Sequence, residues 1–160
     1  MPTRHTQNDG STRFEGDKGK ATLQRLRPGT VLLTYAGHLK ADFFEPLRQE
    51  MDHELQLAQM QKKPLVLIAD CWDLQGVDTT FRELWVDWIK GHREQVSHVV
   101  GLLRSKLVVM AANIMSLFIG GSLIKTYSDP REFEMAIARY APDVGWRRPS
   151  AGLGQVAARG

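Results

Sequence analysis

Leu65-Val-Leu-Ile-Ala69 is an unbroken apolar run bounded by Pro64 and Asp70. It is shorter than the roughly ten residues of an ordinary buried helix, and far short of the ~20 residues that span a membrane. In an extended chain successive side chains point to opposite faces, so an unbroken run is apolar on both. A strand of that kind needs packed layers above and below it. That is the position of a central strand in an α/β sheet.

The flanking segments supply those layers. Upstream, Phe44, Leu47, Met51, Leu55 and Ala58 recur at helical spacing, with Pro46 in the first turn and Lys62-Lys63-Pro64 as a stop. Asp42 is expected to cap this helix, with Glu45 as its reciprocal partner. Downstream, Thr80 and Glu83 form a capping-box pattern, and Phe81, Leu84, Trp85, Trp88 and His92 share one face. That aromatic stripe is expected to be core, or to line an apolar pocket where the sheet leaves it uncovered. Val96–Leu102 and Ser122–Tyr127 read as strands, and Leu107–Ile119 as an apolar helix. Asp129-Pro130, cap followed by proline at the first helical position, opens a final helix through Tyr140. Ahead of all these, Thr22–Arg27 and Thr30–Tyr35 flank Pro28-Gly29 as a hairpin. The order β-β-α-β-α-β-α-β-α predicts a mixed, mostly parallel sheet of about five strands with about four helices.

At 160 residues the chain suits one domain. Residues 1–20 are polar and glycine-bearing, and residues 142–160 end in a similar stretch; both are expected to be mobile tails around a domain at 21–141. Its net charge of +3 comes from the ends. Residues 1–29 hold six basic side chains against three acidic ones, and residues 143–160 hold three against one. The body between them is slightly acidic, which argues against a nucleic-acid groove. One cysteine, Cys71, excludes an internal disulfide, and the N-terminus lacks a secretory apolar core; both point to a cytoplasmic protein.

The element order, the stretch Leu65–Thr80 and the closing Ser128-Asp129-Pro130-Arg131-Glu132 together resemble a STAS domain, in particular the SpoIIAA-like, anti-sigma-factor-antagonist-like group. That family has an apolar strand ending in Asp, a short loop, and Asp-Ser-Ser-Gly at a helix start. Here Asp78-Thr79-Thr80-Phe81 stands at that place. The resemblance implies a bacterial, non-enzymatic signalling domain whose protein partner is an anti-sigma factor or kinase-like regulator. Thr79 and Thr80 are then the candidate phosphoacceptors, and Asp70, Asp73, Asp78 and Phe81 the candidate partner-binding residues around 73–81. The apolar helix 107–119, with Met110, Ile114 and Phe118, extends that surface. The group's relation to lipid-binding CRAL-TRIO domains gives the alternative: a lipid or small apolar ligand, with peripheral membrane contact. No charge falls between Lys106 and Lys125, which suits either use of that helix.

The residues themselves imply no cofactor and no metal. Asp70, Asp73 and Asp78 match no cation-loop spacing. Cys71 has no histidine near it in sequence and reads as a small buried thiol.

Overall fold

A computed structural model describes residues 1–104 and 123–148. The chain runs β1 (Thr3–Thr6), β2 (Thr12–Glu15), β3 (Gly19–Arg27), β4 (Thr30–Leu39), a 3-10 turn (Ala41–Phe43), α1 (Phe44–Met60), β5 (Leu65–Val77), α2 (Thr79–Gly91), β6 (Val96–Leu103), β7 (Ile124–Tyr127) and α3 (Pro130–Tyr140). The strands form one mixed sheet in strict sequence order, antiparallel from β1 to β4 and parallel from β4 to β7. The class is the expected α/β, with seven strands among the described residues where about five were expected. The expected helix 107–119 lies outside the described residues.

Each crossover steps to the next strand in the same direction, and right-handed crossovers then place their helices on one face. Accordingly α1 and α2 share a core with Val31, Leu33, Leu65 and Leu67, whereas α3 packs on Leu32, Val66, Ile68 and Leu102 from the other side. Leu32, Ile68 and Val100 stand in register across β4, β5 and β6, a row of side chains under α3. Residues 65–68 are thus buried on both faces, as the apolar run demanded.

The hairpin turns at Gly29, whose φ of +86° suits glycine, and a Cβ there would sit 2.9 Å from the Pro64 carbonyl. On α1, Leu47, Met51 and Ala58 are fully buried, and buried Glu54 pairs in two-point fashion with Arg25 of β3 at 2.7 and 2.8 Å. That charge-assisted pair raises the Arg25 pKa and ties helix to sheet.

Three expectations need correction. Residues 1–20 are not a loose tail: β1 and β2 extend the sheet, and Phe14, 1 % exposed, enters the α1-side core. An edge strand needs backbone pairing and one anchoring side chain, not high overall hydrophobicity. The two arginines of this region are paired on the folded surface, Arg4 with Glu50 at 2.8 Å and Arg13 with Glu15 at 2.9 Å. Likewise, the segment after Tyr140 returns to the body, with Ala141 buried and Trp146 packed on the α3-side core. Finally, Asp42 does not cap α1. It lies in the 3-10 turn that leads directly into the helix, and Glu45 is bound by Arg48. The cap of α3 is as expected: Asp129 accepts from the Arg131 amide at 2.9 Å, with Pro130 in the first turn.

Candidate functional site

The strand begun by the apolar run does not stop at Ala69. Paired with β6 as far as Cys71 and with β4 beyond it, the strand continues to Val77. The expected loop at 70–78 is therefore mostly strand, and its carboxylates are held apart. Asp70 is buried, accepting from the Trp72 amide at 3.1 Å and from Arg148 Nε at 2.7 Å. Arg148 and Arg104 approach the Trp72 ring at 5.7 and 5.1 Å, a cation–π pair on one indole. Asp73 is exposed, 3.8 Å from Arg104. Asp78 accepts from the Ala41 amide at 3.0 Å and meets His38 Nε2 at 2.9 Å. The His38 hydrogen bond, and then the Ala41 amide, hold the Asp78 carboxyl below its usual range. Asp70 is buried in its pair with Arg148 rather than exposed for docking, and Asp78 joins the end of β4 to the start of α2. No group of acids, histidines or cysteine able to hold a metal occurs among the described residues.

Helix α2 starts at Thr79, with Asp78 as its N-cap in extended conformation. Thr80 thus sits inside the first turn rather than capping it. The first intrahelical bond runs from the Arg82 amide to the Asp78 carbonyl, so the amides of Thr79, Thr80 and Phe81 precede the helical ladder. Thr79 and Thr80 are exposed. Phe81 is not a surface residue: it is 3 % exposed and meets Tyr35, Phe44 and Trp85 edge-on at 6.3–6.4 Å. Its ring fixes the helix start from beneath. Met110, Ile114 and Phe118 lie outside the described residues.

Beneath α2, over the carboxyl half of β5, lies a cavity of about 170 Å³ that is partly open to solvent. Leu33 and Tyr35 of β4, Leu67 and Cys71 of β5, Phe81 and Trp85 of α2, and Leu103 of β6 line it. Burial pushes the Cys71 thiol up to about 12 and lifts the Tyr35 phenol well above its ordinary value, so both walls are neutral. Among the described residues, half-buried Arg82 is the one charged lining residue. The Trp85 indole Nε1–H is buried without an acceptor among the described residues. Trp88, by contrast, donates to Asp52 at 2.8 Å and stacks on His92 at 4.4 Å. The aromatic stripe is core, as expected, and at Trp85 it also lines a pocket. The signal was the pairing of a large aromatic face with the small residues Ala69 and Cys71 beneath it.

No protein-family model matches the chain, and no curated protein matches it. Among solved structures the chain is similar to that of an uncharacterized protein from the DUF3478 family with a SpoIIAA-like fold from Shewanella loihica PV-4. The likeness covers 72 % of this chain and 90 % of that one, with 18 % identity and a TM-score of 0.55. The chain has a SpoIIAA-like fold, the fold that its motifs resemble.

Proposed function

We propose that this chain is a non-enzymatic STAS-like regulatory domain that docks a protein partner on the end of β5 and the start of α2. One observation carries the reading. Thr79 and Thr80 stand exposed on the first turn of α2, where amides precede the helical ladder, while Phe81 and Asp78 hold that turn rigidly. A phosphate there would meet backbone donors and the positive end of the helix dipole. Asp73 adds an exposed carboxylate on β5, 3.8 Å from Arg104, and the described polar groups do not converge as acid, base or nucleophile chemistry requires. An anti-sigma factor or kinase-like regulator is the partner class.

The test is affinity capture from the native cell with phosphosite mapping, followed by calorimetry of the captured protein with Thr79→Glu and Thr80→Glu. Tenfold or greater weakening with either variant supports the switch; unchanged affinity in both, with the fold intact, refutes it.

A second reading has its own observation. The apolar cavity supports binding of a small apolar ligand, in place of the lipid contact assigned to residues 107–119. Among the described residues, no helix is long and apolar enough to cross a membrane.

A further inference from the structure

We propose that the end of the sheet opposite the Thr79–Thr80 turn docks on an anionic membrane surface, Met60 entering the headgroup layer while Arg27, Lys62, Lys63 and Arg93 meet lipid anions. This goes beyond the partner-docking reading and does not depend on it.

Strands β4, β5 and β6 are parallel, so their amino ends share one end of the sheet, away from the carboxyl end of β5 and the start of α2. Three turns meet there. The Val66 amide donates to the Gly29 carbonyl at 2.7 Å, and the Leu65 amide to the Gln95 carbonyl at 2.8 Å. The Lys63 side chain starts beside Gly29, where an added Cβ would lie 3.4 Å from the Cβ of Lys63. These turns carry Arg27, Lys62, Lys63 and Arg93 against one acid, Glu94. None of the four cations makes an ion pair among the described residues, whereas Arg4, Arg13, Arg25 and Arg48 each meet a carboxylate.

The end of α1 marks this surface out from an ordinary helix stop. The Lys63 amide donates to the Ala58 carbonyl at 2.9 Å and the Lys62 amide to the Gln59 carbonyl at 3.0 Å, the two bonds of a Schellman motif. The position that this motif turns left-handed is Lys62, with a φ of +54°, the one non-glycine residue of positive φ among the described residues. Glycine is usual there, because a Cβ is crowded by the following carbonyl. Lys63, one position on, already supplies the charge that favours a helix C-terminus, so the dipole does not call for Lys62. Lysine therefore stands against the backbone preference at an exposed site, which points to a use for its charge. Beside it Met60 is 77 % exposed. A headgroup layer takes an apolar tip and cations at one depth. Nucleic-acid phosphates would use the cations and leave Met60 in water. Docked in this way, the start of α2 faces away from the bilayer.

The experiment sediments the full chain with vesicles of phosphatidylcholine alone, or containing about 30 % phosphatidylserine, at low and at physiological salt. Binding is expected only to the anionic vesicles, and it should fall as salt rises. Lys62→Gln with Lys63→Gln should weaken it about 25-fold, each lysine near such a surface contributing about fivefold. Lys18→Gln with Lys20→Gln removes the same charge from the other end of the sheet, where Gly19 pairs with Gly37, and should weaken binding less than about threefold. Met60→Ser keeps every charge and should still weaken binding severalfold. Lys62→Gly should weaken binding about fivefold while raising the Tm by about 2 °C, a pairing that a purely structural lysine would not give. No binding to the anionic vesicles at low salt, or equal losses in the two double variants, overturns the proposal. Equal binding by Met60→Ser and wild type overturns the choice of a membrane. Tighter binding to a polyglutamate peptide than to vesicles of equal charge also overturns it, and assigns the surface to an acidic protein.

Discussion

Replacing Arg148 with methionine should unfold this protein far more readily than its position near the end of the described chain suggests. The Asp70 side chain is 6 % exposed and that of Arg148 14 %, and their polar atoms lie 2.7 Å apart. An exposed pair contributes about 0–1 kcal/mol, because water screens it and long side chains lose entropy. A buried pair broken on one side costs about 3–5 kcal/mol, because the remaining charge is stranded in a poor solvent. In Arg148→Met, Asp70 would keep only the Trp72 amide as a donor. The expected loss is therefore about 3 kcal/mol, the lower end of that range, since Arg148 keeps some contact with water. At roughly 2–4 °C per kcal/mol this lowers the Tm by about 6–12 °C. Urea denaturation should show a lower midpoint at unchanged slope. The double variant Asp70→Leu with Arg148→Met removes both charges and should recover most of the loss. A loss below about 1 kcal/mol in Arg148→Met would mean the pair behaves as a surface contact, and the reasoning would fail.

Two further expectations concern the β1–β2 edge of the sheet and the start of α2. Phe14→Ala should cost about 3–5 kcal/mol and remove hydrogen-exchange protection from β1 and β2, because that ring is what anchors them to the α1-side core; protection equal to wild type would show the strands hold without it. At the start of α2, the folded-state pKa of Asp78 is depressed, so its ionised form stabilises the fold above the unfolded carboxylate value and that stability is lost as pH falls through the lower, folded value. Wild type should therefore exceed Asp78→Asn in stability at pH 6, with the gap closing below about pH 4; a gap that persists in acid would place the effect elsewhere.

The parts of this fold that could be read from the residues are those whose cause is local. The Pro28-Gly29 turn, the Asp129-Pro130 helix start and the two-faced run at 65–69 each carry their reason within a few positions. What could not be read depends on distant partners. Thr12–Glu15 becomes a strand because β3 offers it an edge and α1 covers Phe14. Past Ala69 the chain turns polar, yet β5 continues because β6 pairs with it as far as Cys71 and β4 as far as Val77. Asp78, not Thr80, caps α2 because its backbone and carboxylate are already bound to Leu39, Ala41 and His38. At the candidate site, position was legible and exposure was not: of the candidates between 70 and 81, Asp73, Thr79 and Thr80 are exposed whereas Asp70 and Phe81 are buried.

The strict sequence order of the strands bears on how the protein is made. During synthesis each new strand meets an edge formed by the strand just before it, so the sheet can lengthen one strand at a time without waiting for a distant segment. The buried edge of β5 is completed late, when Arg148 arrives at Asp70 across 78 positions. Until then a carboxylate sits unpaired in the middle of the sheet. A nascent chain is thus held in a less stable form until Arg148 has been made and has paired with Asp70.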